Sequence, residues 1–309
     1  MGNFNLNELP NHPGKIAIVT GANVGLGYQT TLGLVQKKIK VIMACRDIEK
    51  GNNAKSDLLK EVPDAQLEIF QIDLSSLKSV KDFAEEFQKN HNSLDLLINN
   101  AGVMMPPYHK TEDGFELQMA ANYFGHFALT GLLLDLLKKT TGSRVVSLSS
   151  LAHKKAKIDF KDLQSEKEYS KYKAYGQSKL ACLMFARELQ RKLDKHNCKN
   201  PISLAVHPGV SRTELFRHFP DWFSIVFTPI ALLFTQDSKE GSQPTLMASL
   251  DKNINKGGYY GPQGFNEMKG NPGKAFVASQ AKNEDDSKKL WEISEKETGV
   301  CYSFLNVSF

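Results

Sequence analysis

The chain has 309 residues, 41% hydrophobic and 24% charged, with a formal charge of +5 from 39 Lys plus Arg against 34 Asp plus Glu. That composition can bury a large core and excludes disorder, collagen and coiled coil as readings of the whole chain. Both charge signs are interspersed, so the mild basicity lacks the clustered face of a nucleic-acid binder, and no nucleic-acid partner is expected.

The first ten residues are polar and lack the basic start and apolar run of a signal peptide. Leu6 also stands where a myristoylation motif needs Ser or Thr. Cys45, Cys182, Cys198 and Cys301 show no CxxC and no ladder of spacings, and read as reduced, apolar packers. These features together point to a cytoplasmic protein. His126, His153 and His207 have no metal-ligand spacing, so packed or loop histidines are expected and no metal site.

Six short apolar or β-branched runs follow in order: Lys15–Thr20, Lys40–Cys45, Leu67–Ile72, Leu94–Ile98, Arg144–Leu148 and Ile202–Val206. Several are apolar almost throughout, as in strands buried on both faces of a parallel sheet. Amphipathic stretches separate them. In Ser76–Lys89, for example, Leu77, Val80, Phe83, Ala84 and Phe87 recur at helical spacing. The alternation predicts an α/β fold: a single doubly wound Rossmann-type domain over residues 1–309, with a mostly parallel sheet and helices on both faces. The Pro/Gly-rich stretch Gly257–Gly273 reads as a surface loop around one last short strand. The most apolar window, Trp222–Phe234, is broken by Pro229 and is shorter than the ~20 residues of a spanning helix. It reads as a core helix or as part of a substrate lid at about 211–245, with contact to a membrane surface the weaker reading. Self-association into a homo-oligomer stays open.

The first run leads directly into Thr20-Gly-Ala-Asn-Val-Gly-Leu-Gly27, which opens a helix. Strand, glycine loop and helix in that order suit a dinucleotide pyrophosphate: glycines allow a tight turn and close backbone approach, and the helix N-terminus attracts the phosphates. The cofactor contacts expected here are Gly21, Asn23, Val24, Gly25, Leu26 and Gly27, although G-x3-G-x-G differs from the common G-x-G-x-x-G. The second run ends at Cys45-Arg46-Asp47. An acidic residue at that point would favour NAD, whereas Arg46 favours the 2′-phosphate of NADP(H). The alternative gives the ribose to Asp47, which is better read as the cap of the next helix. Asp73-Leu74, after the third run, falls where an adenine edge would lie.

Four motifs in order, Thr20 to Gly27, Asn99-Asn100-Ala101-Gly102, Tyr175-Gly-Gln-Ser-Lys179 and Pro208-Gly209, resemble those of the short-chain dehydrogenase/reductase family and cover residues 15 to 213. Ala44-Cys-Arg-Asp47, Asn122-Tyr-Phe-Gly-His-Phe127, Ser149-Ser-Leu-Ala-His153, His207 to Leu215 and Trp291-Glu-Ile-Ser294 look most like its retinol dehydrogenase and WW-domain oxidoreductase branch. The resemblance implies cofactor contacts from Asn100, Ala101, Gly102, Pro208, Gly209, Val210 and Thr213.

It also implies a catalytic set of Asn122, Ser150, Tyr175 and Lys179. Tyr175 and Lys179 are four apart on a helix, so their heads can meet. A neighbouring ammonium favours the phenolate of a side chain that is otherwise too weak an acid to exchange protons at neutral pH. Tyr175 is thus the expected acid/base, its alternative being one more surface tyrosine. Lys179 would also hold the nicotinamide ribose. Ser150 would polarise the substrate oxygen, with Ser149 pointing to the opposite face. Asn122 would fix a water that relays protons to Lys179. The interval from Ser150 to Tyr175 is long for the family, and its Lys154, Lys155 and Lys157 read as a solvated loop.

The expectation is an NADP(H)-dependent oxidoreductase for a hydrophobic alcohol and its aldehyde or ketone. The greasy substrate is read from Trp222, Phe223, Ile225, Phe227, Leu232 and Phe234 and from the retinoid-like branch. The alternatives are a 3-ketoacyl or sugar-type reductase and a non-catalytic NADP-binding regulatory protein.

Overall fold

The computed structural model describes residues 4–210 and 237–304. Its strands are β1 (Ile16–Thr20), β2 (Lys40–Cys45), β3 (Leu67–Gln71), β4 (Leu96–Asn99), β5 (Arg144–Leu148), β6 (Ile202–Val206), β7 (Tyr259–Pro262) and β8 (Pro272–Lys274). The helices are α1 (Gly25–Gln36), α2 (Ile48–Glu61), α3 (Leu77–Asn90), α4 (Leu117–Met119), α5 (Gly125–Leu132), α6 (Leu134–Lys139), α7 (Lys171–Lys195), α8 (Ser238–Leu250) and α9 (Glu284–Thr298).

All eight strands join one sheet in the order β3-β2-β1-β4-β5-β6-β7-β8, parallel except for β8. The period of two along each strand divides the apolar residues between two cores. Ile18, Ile42, Leu97, Val145 and Ala205 face one, with Phe83, Phe127 and Trp291. Ala17, Val19, Val41, Met43, Val146 and Leu204 face the other, with Leu34, Leu58 and Leu246. That division is the physical content of a sheet covered by helices on both sides, and it accounts for runs with no polar face.

Side-chain caps fix where the helices begin. Asp47 accepts from Lys50 N, Ser76 from Ser79 N, Ser170 from Lys173 N, and Asn283 from Asp285 N and Asp286 N. Between α4 and α5 the chain takes a π-helical turn, Ala120–Phe124, which carries Asn122. Such turns concentrate at functional sites. Of the cysteines, Cys45, Cys182 and Cys198 are buried and unbridged, whereas Cys301 is exposed, unlike the packer expected there.

Two further readings need correction. The stretch Gly257–Gly273 is more than a surface loop with one strand. Tyr259 and Tyr260 of the buried β7 extend the sheet beside Ala205 and Val206, and β8 returns antiparallel, with Tyr260 opposite Lys274. The fourth strand begins at Leu96, two residues later than expected; Asp95 just before it still bonds both neighbouring strands through its backbone, and its side chain accepts from Ile16 N at 2.9 Å.

The apolar window 222–234, Thr213 and the lid stretch up to 236 lie outside the described residues. The remainder of the 211–245 stretch opens α8, whose Leu246 packs on Gly33 of α1 and whose Gly241 sits against Leu26 and Pro208. No helix among the described residues is long and apolar enough to cross a membrane.

Candidate active site

Order reverses on either side of β1, and ligands of such sheets bind at this switch point, beyond the carboxyl ends of the strands. A cleft of about 340 Å³ opens there. Gly21, Asn23, Val24, Gly25, Leu26 and Gly27 line it after β1, Ala44 and Arg46 at the end of β2, Ile72, Asp73 and Leu74 after β3, and Asn100 to Met104 after β4. Ala121, Leu148, Ser149, Tyr175, Lys179 and Pro208 complete its wall.

Thr20 holds the floor together. Its Oγ1 accepts from Asn100 N and Ala101 N, both at 2.9 Å, and its carbonyl accepts from Asn100 Nδ2 at 2.7 Å. The loop after β4 is thereby fastened to the start of the glycine turn. At Gly27, a Cβ would lie 2.1 Å from Gly21 O and 2.6 Å from Asn100 Nδ2, so only glycine lets α1 begin this close to β1. The cradle fits a dinucleotide pyrophosphate: the first N–H groups of α1 have no intrahelical acceptor, and Gly25, Leu26 and Gly27, which carry them, line the cleft.

On the adenosine side, Arg46 is exposed on the cleft rim, and its guanidinium makes no ion pair with any described residue. Asp47 is committed elsewhere, with Oδ1 accepting from Lys50 N at 3.0 Å and Oδ2 3.2 Å from Lys50 Nζ. Asp73 also lines the cleft, and its Oδ1 accepts from Ser75 N and Ser75 Oγ at 2.9 and 2.6 Å.

On the other side α7 presents Tyr175 and Lys179, 3% and 6% exposed. Lys179 Nζ lies 6.0 Å from the centre of the Tyr175 ring and donates to Leu148 O at 3.2 Å. Asn122 meets Lys179 at Gly102, where a Cβ would be 3.0 Å from Asn122 Oδ1 and 3.3 Å from Lys179 Nζ. The Asn122 amide pairs with both backbone groups of Val103, accepting from N at 2.7 Å and donating to O at 3.0 Å, and donates also to Ser178 Oγ at 2.9 Å.

The two serines after β5 differ. Ser149 lines the cleft, and its hydroxyl donates to Lys179 O at 2.7 Å. Ser150 accepts from Ala152 N at 3.2 Å and caps the 3-10 turn Leu151–Lys155. Its O–H is uncommitted among the described residues, and it does not form part of the cleft wall.

Among the expected cofactor contacts, Gly209 and Val210 stand just beyond that wall. Their backbone N–H groups are engaged with His207 Nδ1 at 3.2 Å and Met268 O at 2.9 Å. Ala44, Ile72, Val103, Met104, Ala121, Leu148 and Ser149 line the cleft without having been expected there. Most occupy ends of strands or direct neighbours of motif residues, so the rule that ligands meet strand ends was the available signal. The three histidines are buried, so of the packed and loop readings it is the packed one that the structure shows. Lys154 is not a solvated loop residue: it lies 2.8 Å from Glu267.

A switch-point cleft with a glycine cradle, and a buried Tyr–Lys pair at its far end, defines a dinucleotide-dependent α/β protein. Residues 15–223 match the family model described as short chain dehydrogenase, and the chain belongs to this family of oxidoreductases, whose members use NAD(H) or NADP(H). Human retinol dehydrogenase 12 is 40% identical over 93% of this chain and 87% of its own length. Human retinol dehydrogenase 13 is 40% identical over 93% and 86%. Among solved structures, an uncharacterised protein from Mycobacterium paratuberculosis shares 34% identity and a TM-score of 0.81, covering 97% of this chain and 99% of that one. The Pseudomonas aeruginosa RhlG/NADP active-site complex, 21% identical over 81% of this chain and 94% of its own with a TM-score of 0.60, shows the same fold.

Proposed function

We propose that this chain is an NADP(H)-dependent oxidoreductase that interconverts a hydrophobic alcohol and its aldehyde or ketone, acting as one cofactor-binding unit. The observation that carries the reading is the Tyr175–Lys179 pair buried at one end of a cleft that has Arg46 on its opposite rim. The bound nicotinamide supplies or accepts the hydride.

In reduction, the Tyr175 phenol gives its proton to the substrate oxygen as that oxygen gains charge; in oxidation it takes the proton back. The Lys179 ammonium stabilises the phenolate left behind, and Asn122, sharing the space under Gly102 with Lys179, orders the proton path to it. Of the two serines, Ser149 lines the cleft but has spent its O–H on Lys179 O, whereas Ser150 keeps an uncommitted O–H just outside the cleft wall, and its donation to the substrate oxygen is the role that the family resemblance implies. Val103, Met104 and Ala121 give the cleft an apolar wall, and the names of the retinol dehydrogenase relatives support a lipid-like substrate.

The direct test is NADPH oxidation by the purified protein with a panel of aldehydes and ketones of increasing chain length. Turnover that improves with apolar length is expected. Tight NADPH binding without turnover of any member would replace this reading with a non-catalytic binder.

Cofactor choice gives a separate prediction. A charge-assisted contact between Arg46 and a 2′-phosphate contributes about 1.5–3 kcal/mol. Arg46→Ala should therefore raise the KM for NADPH by roughly tenfold or more while altering that for NADH by less than about threefold. Equal changes for the two cofactors would remove Arg46 as the phosphate reader.

A further inference from the structure

Between β7 and β8 the chain takes an unfavourable turn. Asn266 and Glu267 are consecutive non-glycine residues with φ of 49° and 62°. Side chains rarely adopt that region, and it persists only where the surroundings over-determine it. Here the surroundings are the two loops beside the far end of the cleft. Glu267 Oε2 lies 2.8 Å from Nζ of Lys154, in the turn that Ser150 caps, and 3.6 Å from Nε2 of His207, the residue before Pro208. Its Oε1 accepts from Phe276 N at 2.6 Å.

Both loops are tied in further ways. Val210 N donates to Met268 O at 2.9 Å, and His207 Nδ1 accepts from Gly209 N at 3.2 Å. With Nδ1 accepting, the neutral His207 ring carries its proton on Nε2, facing the Glu267 carboxylate. In the other loop, His153 Nδ1 bonds Ser150 O at 2.7 Å, and Gln280 Nε2 donates to Lys154 O and Ala156 O at 3.1 and 2.9 Å. Burial alone would raise the Glu267 carboxyl, but the Lys154 ammonium, the His207 ring beside it and the hydrogen bond from Phe276 N outweigh it and hold the group at about 2. The carboxylate therefore stays charged between its partners throughout the neutral range.

We propose that Glu267 is a positioning residue for the nicotinamide half of the cofactor site, fixing the Ser150 turn through Lys154 and the Pro208–Val210 loop through His207. This rests on the NADP(H) reading given above. Glu267 has no hydrogen bond or ion pair with the glycine loop or Arg46. Its loss should consequently be felt at one end of the cleft only, and a bond that merely supports the fold would not act so selectively.

The test compares Glu267→Gln and Lys154→Met with wild type by titration calorimetry. The two ligands are NADPH and 2′-phospho-ADP-ribose, which lacks the nicotinamide, and kcat, KM and the thermal midpoint are recorded beside them. Either substitution should raise the NADPH Kd roughly three- to tenfold and lower kcat about tenfold, with the fragment's Kd within about twofold of wild type. The double variant should be little worse than either single, because both remove the same link. Lys154→Met acts from the opposite side and keeps the test open if Glu267→Gln folds poorly. Variants that bind NADPH and turn over like wild type overturn the positioning role alone, as does an equal loss for both ligands with a lowered midpoint. A wild-type protein that binds neither ligand overturns the cofactor reading, and the proposal with it.

Discussion

Replacing Tyr175 with Phe is expected to lower kcat by about 10²–10⁴-fold, the usual contribution of a positioned proton donor, while leaving the affinity for NADPH within a few-fold of wild type. The asymmetry follows from what the substitution removes. Tyr175 is 3% exposed on α7 and its ring forms part of the cleft wall, so Phe keeps that ring in the same place and the helix keeps its packing. Only the phenolic O–H disappears. Lys179 still donates to Leu148 O, and the glycine cradle and Arg46 are untouched, so the groups that would hold the cofactor remain in place. The measurement is steady-state turnover of the best carbonyl in the panel, set beside NADPH binding followed by fluorescence. Full activity in Tyr175→Phe would remove this side chain as the acid/base. Equal losses in binding and turnover would instead mark it as a cofactor contact.

What the sequence disclosed, and what it hid, follows from how each signal arises. Strands β1 to β6 were legible because burial on both faces demands unbroken apolar runs, and few other structures produce six of them at such intervals. Beyond them only one short strand was legible, somewhere within Gly257–Gly273; its bounds and its partner β8 were not, because Tyr259-Tyr-Gly-Pro262 has two apolar side chains and two turn formers, and its strand character comes from the open edge of β6. Motif residues such as Tyr175 and Lys179 could be read because their chemistry fixes both type and spacing. Ser149 was set aside on alternation and on the family's pattern, yet it lines the cleft while its hydroxyl serves the backbone of α7. Glu267 carried no local signal at all: its partners Lys154 and His207 are remote in sequence, and only the β7–β8 hairpin brings the three together.

Glycine 27 gives the second large effect. Gly27→Ala is expected to abolish measurable NADPH binding and to lower the thermal midpoint by several degrees, the consequence of about 1–3 kcal/mol of overpacking. The neighbour that the new methyl would meet most closely is a backbone carbonyl, Gly21 O at 2.1 Å, which has no rotamer by which to yield. Asn100 Nδ2, at 2.6 Å, is equally constrained, since it donates to Thr20 O. Relief therefore requires the first turn of α1 to move away from β1, and this turn supplies the N–H groups that would meet the pyrophosphate. The penalty falls on binding more than on folding, because the rest of α1 is held by Leu34 and Val35 in the core and by Leu246 over Gly33. Circular dichroism of Gly27→Ala should accordingly show a folded protein, and calorimetry should show no heat on NADPH addition. A variant that binds NADPH as wild type does would mean that the pyrophosphate is held elsewhere in the cleft.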